Sequence, residues 1–346
     1  MKKEILFILS SVIITGCSST NWLTLSVIEP APITVPSYIK NIGIVNRSLA
    51  SEENSQINKI DQVLSIESAD LDLEGAKESI HGVLDELSKN NRFTNVRFLA
   101  NVDIKGSGLA VFPAPIAWET VEKICKENKM DALFVLEVFD TDTKISYTSN
   151  PVTIQGPLGV DIPAIEHHAY MNTLVNTGWR IYDPQSRNLL DEYSVSESIE
   201  SSGKGINPAV AAAALMGRKE AVKQCSYTGG QTYAYRILPY NIRVSRKYYV
   251  RGSDNFKIAK RRAQTGNWDG AAELWEREIG NSKRKIAGRA HYNMAIINEI
   301  NGNLDEAIQW ARKAYTDYKN RLALDYVNIL EGRLIRDDQL REQTVE

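Results

Sequence analysis

A short pattern that occurs twice near the carboxyl end constrains the fold of this chain most. It reads GNWDGA from Gly266 and GNLDEA from Gly302. Each copy follows one stretch of helically spaced apolar residues and opens another, which predicts pairs of antiparallel helices. Glycine turns the chain between two helices, and alanine lets the paired helices approach closely. The predicted helices span 256–265, 269–279, 287–301 and 305–318, and a capping helix is expected over 322–334.

These helix pairs resemble tetratricopeptide repeats, which stack such pairs side by side. The second copy matches the resemblance well, whereas the first has Arg262 and Glu278 at positions that are usually apolar or small. The resemblance implies a concave peptide-binding face, on which would lie Lys257, Lys260, Arg289 and Asn293. Asn293 stands where family members hold a peptide backbone or a carboxylate. The alternative is a solvated basic face without a ligand.

The amino end has the pattern of a secretion signal. Lys2 and Lys3 precede an apolar run that starts at Ile5 and is too short to span a bilayer as a helix. The run ends in ITGC, whose last residue is Cys17. This ending resembles a bacterial lipobox, which implies that residues 1–16 are removed and that Cys17 is acylated. An ordinary cleaved signal is the alternative.

The residues after Cys17 bear on location. They read SSTN, without an aspartate next to the cysteine. By resemblance to the bacterial sorting rule, this favours an outer-membrane lipoprotein that faces the periplasm. Residues 17–37 are expected to form the lipidated amino terminus and an extended linker, because they carry three prolines. No later apolar run is long enough to span a bilayer, so the acyl chains would be the attachment.

Residues 38–250 are expected to form a mixed α/β module. The apolar runs IGIVN and ALFVLEVF predict buried strands, and an amphipathic helix is predicted between Leu73 and Leu87. Further predicted elements are strands at 170–182 and 189–198, a helix over 209–224 that starts at Asn207-Pro208, and a strand at 235–244. Residues 143–169, between the strand ALFVLEVF and the strand at 170–182, show only a weak pattern of apolar and polar residues.

Four segments of this module resemble a known architecture. They read IGIVNRS, LSKNNRFTNVRFL, DALFVLEVF and WRIYDPQSRNLLDEYSVS. In this order they resemble the α/β module shared by CsgG-like curli secretion lipoproteins and the amino-terminal domain of TolB, over about residues 38–246. CsgG-like proteins form pores through membrane hairpins, and the corresponding insert here lacks the sustained alternation of a membrane strand. The expected fold class is therefore α+β, a mixed α/β module followed by all-α tetratricopeptide-like repeats in residues 251–346.

No catalytic signature rises above background. His167 and His168 lie near Asp161 and Glu166 and could bind a metal, but adjacent strand residues point to opposite faces. No catalytic residue, metal or cofactor is predicted, and the chain is expected not to be an enzyme. An envelope hydrolase that uses residues 161–168 is an alternative, because paired carboxylates have no fixed spacing.

The remaining cysteines, Cys125 and Cys225, are predicted to be buried thiols on helices. A disulfide between them is the alternative, since an envelope compartment is oxidising.

These observations together favour a non-enzymatic adaptor or scaffold that binds envelope proteins through its helical repeats. The expected partners are the membrane, through the amino-terminal lipid, and either an envelope protein or a second copy of the chain. A net charge of −2 gives no reason to expect nucleic acid. The alternative function is that of an oligomeric secretion or assembly component resembling CsgG.

Overall fold

The computed structural model describes residues 18–49, 69–89, 91–155 and 159–344, with only the backbone for Ala69 and Asp70. The predicted signal and Cys17 lie outside the described residues. The chain divides into two compact units. The α/β unit contains the described residues of 30–240 and 340–344, and the helical unit contains 18–29 and 241–339.

The α/β unit is built on a five-stranded sheet, whose strands in sheet order are β3 (Asn95–Phe98), β2 (Asn41–Asn46), β4 (Ala132–Gln155), β5 (Asp161–Asp183) and β6 (Asn188–Gly205). The first three of these strands in sheet order run parallel, and β4, β5 and β6 form an antiparallel meander. The predicted apolar runs lie at the centre of this sheet, where both faces are covered, and this explains why they do not alternate.

Helices cover both faces of this sheet. One face carries α1 (Ala69–Ser88) and α4 (Arg218–Ala234), which pack on apolar residues of β2, β4 and β5. The other face carries α2 (Trp118–Asn128). Helices α1 and α4 approach closely because glycines stand at their crossing: a Cβ at Gly230 would lie 2.0 Å from the carbonyl oxygen of Ser79.

The segment 143–169 differs from its expectation as a weakly patterned stretch. Residues 143–155 lie in β4 and residues 161–169 lie in β5; these strands pair from Leu133 opposite Tyr182 to Gln155 opposite Asp161, with one irregularity between Leu136 and Val138. Strand β6 stops pairing at Gly205, opposite His167, so the last part of the hairpin has only two strands. The alternation that predicts a strand comes from a core on one face, and this hairpin extends beyond the core.

The expected single helix over 209–224 is wrong. The structure has two helices there, α3 (Pro208–Ala213) and α4, because Gly217 adopts an extended conformation as the residue before α4. The predicted start is confirmed: the Asn207 side chain accepts a hydrogen bond of 2.9 Å from the Val210 amide, and Pro208 is the first helical residue.

The helical unit has five helices in its described residues and a two-stranded sheet of β1 and β7. Both repeat glycines, Gly266 and Gly302, have φ of +80°, a conformation that glycine adopts without strain. The elements are β1 (Thr20–Glu29), β7 (Tyr240–Tyr249), α5 (Asp254–Gln264), α6 (Trp268–Glu276), α7 (Arg284–Ile300), α8 (Leu304–Thr316) and α9 (Arg321–Thr344, in this unit to residue 339).

Two strands of this unit differ from expectation. Strand β1 occupies part of the segment expected to be a linker, and it pairs with β7. Strand β7 begins five residues later than expected and belongs with the helices, whereas the expected boundary at residue 250 assigned it to the α/β module. The physical reason is aromatic packing: the Tyr248 ring lies 5.4 Å from that of Trp268 and 5.9 Å from that of Trp275.

The fold class is α+β, as the sequence predicted. Cys125 and Cys225 are free and buried on α2 and α4, which confirms their prediction as helical thiols. Burial raises the pKa of Cys125 to about 12 and that of Cys225 to about 11. Among the described residues, no helix has the length and apolar character needed to cross a bilayer.

Candidate binding site in the helical unit

In the helical unit, a residue that was predicted to bind a peptide contacts strand β7 of the same chain. Asn293, on α7, is fully buried, and its side chain makes two hydrogen bonds to the backbone of Tyr249. Its Oδ1 accepts from the Tyr249 amide at 2.8 Å, and its Nδ2 donates to the Tyr249 carbonyl at 2.7 Å. A side-chain amide that pairs with both the backbone N–H and the backbone C=O of one residue is a backbone clamp. The residue predicted to hold a peptide therefore holds the chain's own β7.

Arg289 lies one helical turn from Asn293 and serves the same strand. Its Nη1 donates to the carbonyl of Arg251 at 2.6 Å, and its guanidinium lies 5.0 Å from the centre of the Tyr249 ring. Both interactions fix the chain just after β7. Of the four residues predicted to bind a peptide, Arg289 and Asn293 are thus engaged with residues 249–251.

A buried carboxylate, that of Glu299, binds β7 at Arg246. Glu299 is 1% exposed and accepts hydrogen bonds from Arg246 at 2.8 and 2.9 Å, from Tyr326 at 2.6 Å and from Arg333 at 2.7 Å. Burial by itself raises the pKa of this carboxyl group, but the hydrogen bonds from Arg246, Tyr326 and Arg333 outweigh burial and lower the pKa below 4.5. Glu299 is therefore ionised and fully satisfied.

Next to β7 the helical unit opens into a pocket of about 970 Å³. The pocket lies between α5 and the loop that leads into α7. Five of its lining side chains are cationic and one is anionic. The cationic residues are Arg251, Lys257, Lys260, Arg261 and Lys283, and the acid is Asp254.

The positive charge of this basic pocket is largely uncompensated. Lys257 forms an ion pair with Asp254, at 2.9 Å, and both side chains are exposed. The other four cations have no ion-pair partner within the described part of the chain. Like charges held close together repel, and a bound anion relieves this repulsion. The arrangement can therefore hold an anionic ligand.

A buried carboxylate fixes the walls of the basic pocket. Glu278 is 5% exposed and accepts hydrogen bonds of 2.7 Å from Ser253, Asn255 and Asn281. Burial raises the pKa of Glu278, but these three hydrogen bonds lower it overall. Because Ser253 and Asn281 both line the pocket, Glu278 ties the residue before α5 to the loop before α7.

The structure divides the four predicted peptide-binding residues between two places. Lys257 and Lys260 line the basic pocket, whereas Arg289 and Asn293 hold β7 and the residues after it. Arg251, Arg261 and Lys283 were not among the residues predicted from the sequence. Helical spacing could have found Arg261, which shares a face of α5 with Lys257. No sequence signal marks the other two, because the fold brings them in from loops.

The histidine pair falls on the β4–β5 hairpin. His168 Nε2 lies 2.6 Å from Glu166 Oε1, and Lys204 Nζ lies 3.3 Å from the same oxygen. His167 pairs with Ser149 and His168 with Thr148, so the two rings belong to opposite faces of the ladder. In the described ranges, no three residues among His, Cys, Asp and Glu are grouped so that they could hold a metal ion.

Comparisons with known proteins give family matches and distant structural ones. Residues 39–249 match the family described as Domain of unknown function (DUF8603), and residues 257–332 match Domain of unknown function (DUF6340). No curated protein matches the chain.

The solved structures that match in part include the PelC dodecamer from Paraburkholderia phytofirmans and a point variant of it. Both are 7% identical, with TM-scores of 0.23 and 0.24. The alignments cover 63% and 62% of this chain and 99% of each PelC chain. The first family match spans more than half of the sequence. The chain therefore belongs to the family described as Domain of unknown function (DUF8603).

Proposed function

We propose that this chain is a non-enzymatic, lipid-anchored adaptor whose tetratricopeptide-like helical unit binds an acidic segment of another envelope protein. The lipobox-like ITGC supports an anchor at Cys17, and the absence of an aspartate after Cys17 supports an outer-membrane location that faces the periplasm. The observation that carries the proposal is the basic pocket, which is lined by five cationic side chains and one carboxylate.

An acidic protein segment fits this pocket better than a small anion does. The pocket volume of about 970 Å³ exceeds what one phosphate or carboxylate fills, and its cations are spread over α5 and the loops on both sides. A peptide with several acidic residues can contact the cations in turn. Such contacts speed encounter and exclude basic partners more than they add affinity.

The site at Asn293 does not compete with the basic pocket for the same partner. Its backbone-binding group, Asn293, is already paired with Tyr249. An external peptide would have to displace β7 to reach that amide, and it would leave a buried donor and acceptor of Tyr249 unpaired. The adaptor contact is therefore assigned to the basic pocket.

In-cell photo-crosslinking tests this function. A photo-reactive residue replaces Gln264, which is exposed and lines the pocket, and in a control it replaces Lys285, which is exposed but does not line it. The expected result is an envelope protein crosslinked from position 264 and absent from position 285. Equal crosslinking from the two positions, or none from 264, would contradict the proposal.

A second candidate is self-assembly, as in CsgG-like proteins. It is favoured by the outer edge of β4, which pairs with β2 only as far as Leu136 and with no described strand beyond that. Open edges add strands readily. The mass of the lipidated chain in detergent decides this point: an oligomer supports the candidate, and a monomer at all concentrations contradicts it.

A further inference from the structure

The two-stranded sheet of β1 and β7 has one face that packs on the helices and one face that is exposed. Leu23 and Val27 of β1 and Tyr248 of β7 are buried in the core of the helical unit. Successive residues of a strand point to opposite faces, so the alternate residues form the other face. We define these exposed residues as the ribbon face: Trp22, Thr24, Ser26 and Ile28 of β1, with Arg243, Ser245 and Lys247 of β7.

The ribbon face exposes an aromatic side chain beside a cation. Trp22 is 61% exposed and Ile28 is 54% exposed. The Lys247 ammonium lies 4.7 Å from the centre of the Trp22 ring, so the exposed residues of the two strands lie on the same side. A tryptophan next to a lysine suits the boundary between lipid headgroups and acyl chains, where the ring is partly buried and the ammonium meets phosphate.

The charged side chains of the ribbon face are all cationic. Arg243 and Lys247 are exposed, and neither has an ion-pair partner in the described part of the chain. The only acid in β1 and β7 is Glu29, which is only 13% exposed and pairs with Arg336 at 2.8 Å. The ribbon face therefore attracts an anionic surface and repels a second copy of itself.

The distance from the proposed acylation site selects which anionic surface this is. Cys17 directly precedes Ser18, the first described residue, and β1 begins at Thr20. Trp22 is five residues after Cys17, and an extended chain of that length reaches at most about 18 Å. Acyl chains in a bilayer therefore hold this end of the ribbon face near the headgroups, where even a weak contact is occupied because its effective concentration is high.

We infer that the ribbon face lies on anionic phospholipid headgroups beside the anchor, with Trp22 at the boundary of the acyl chains and with Arg243 and Lys247 on lipid phosphates. The contact fixes one side of the helical unit against the bilayer. It rests on the anchor of the proposed function, and it uses no residue of the basic pocket.

Tryptophan quenching on vesicles tests this contact. The chain from residue 17 onward keeps every described residue, and its Cys17 thiol is coupled to a maleimide lipid, which spares the buried Cys125 and Cys225. The vesicles contain phosphatidylethanolamine and phosphatidylglycerol, with or without bromine on the acyl chains. The control is Trp22→Phe, because the other five tryptophans are buried or half-buried.

The expected result is that bromine lowers the tryptophan emission of the parent and leaves that of Trp22→Phe unchanged. Arg243→Gln with Lys247→Gln is expected to lower the quenched fraction about tenfold, because two cations leave the lipid phosphates. Arg277→Gln with Lys285→Gln removes two exposed cations elsewhere in the same unit and is expected to have no effect. Unchanged melting temperatures show that the variants fold.

Three results would overturn the inference: an unquenched parent, equal quenching of Trp22→Phe, or equal effects of the two charge variants. The anchor is tested separately, because the chemical coupling does not depend on acylation in cells. The mass of the Cys17 peptide from cell membranes reports that acylation. Unacylated Cys17 would contradict the anchor, whereas acylated Cys17 with an unquenched parent would contradict the ribbon contact alone.

Discussion

Strand β7 and the basic pocket lie next to each other in the helical unit, and they differ in whether their charged groups have partners. Behind β7, the single carboxylate of Glu299 accepts hydrogen bonds from Arg246, Tyr326 and Arg333. The basic pocket has five cations and one acid, Asp254, which pairs only with Lys257. A buried charge that loses a partner destabilises the fold, whereas exposed charges without partners are available to a ligand. Local charge balance thus separates the structural contact from the candidate site.

The largest expected effect follows removal of Glu299. Glu299→Ala leaves Arg246 and Arg333 without their shared carboxylate, so the free energy of unfolding falls by about 3–5 kcal/mol. Thermal unfolding followed by circular dichroism measures this loss. Glu276→Ala, at an exposed position of α6, is the control, and its effect stays within about 0.5 kcal/mol. Equally small effects of both variants would contradict the claim that Glu299 stabilises the fold.

Asn293→Leu is expected to have the next largest effect. Leucine fills a similar volume but leaves the amide and carbonyl of Tyr249 unpaired, which costs about 2–3 kcal/mol. Hydrogen exchange at the Tyr249 amide is expected to accelerate. The control is Asn298→Leu, which loses one hydrogen bond of 2.8 Å to the Met294 carbonyl and leaves β7 untouched. An unchanged exchange rate at Tyr249 in the Asn293 variant would show that the clamp does not hold β7.

The pH dependence of stability tests whether the charge of Glu299 stabilises the helical unit. Its pKa is lower in the folded chain than 4.5, its ordinary value. The unfolded chain therefore takes up this proton first, and the stabilisation is complete above about pH 4.5 and is lost as the pH falls through the folded pKa. The difference in melting temperature between the parent and Glu299→Gln is expected to shrink from pH 6 to pH 3. A constant difference would mean that the charge of Glu299 is not what stabilises the unit.

The smallest expected effect is at the single acid of the basic pocket. Asp254→Asn removes the partner of Lys257 and frees that cation for an anionic ligand. The affinity for a fluorescent acidic peptide is expected to rise about twofold, as for an exposed ion pair. Glu273→Gln, an exposed acid outside the pocket that pairs with Arg262, is the control. A weaker affinity after Asp254→Asn would contradict an anion-binding pocket.

Much of the fold could be predicted from local pattern, and the failures have physical reasons. The repeat pattern predicted four helices because each helix packs one apolar stripe against its neighbours. Strand β1 was missed because the prolines at positions 30, 32 and 36 favoured a linker, although Leu23 and Val27 alternate with exposed neighbours. The extension of β4 and β5 was missed because a strand without a core on either face has no reason to alternate.

The candidate site could be predicted only in part. Lys257 and Lys260 share a helical face, and this is visible in the sequence. That Asn293 holds the chain's own strand depends on a contact between residues 44 positions apart, at Tyr249. Arg251 and Lys283 enter the pocket through loops, whose paths no periodicity describes.

The affinity of the full chain for a fluorescent acidic peptide, measured at increasing salt, tests the central claim most directly. The parent is expected to bind, with an affinity that falls as salt screens the charges. Lys260→Glu with Arg261→Glu is expected to abolish binding with an unchanged melting temperature, and Lys285→Glu, outside the pocket, is expected to bind as the parent does. Equal binding by all three chains, or binding insensitive to salt, would contradict the account.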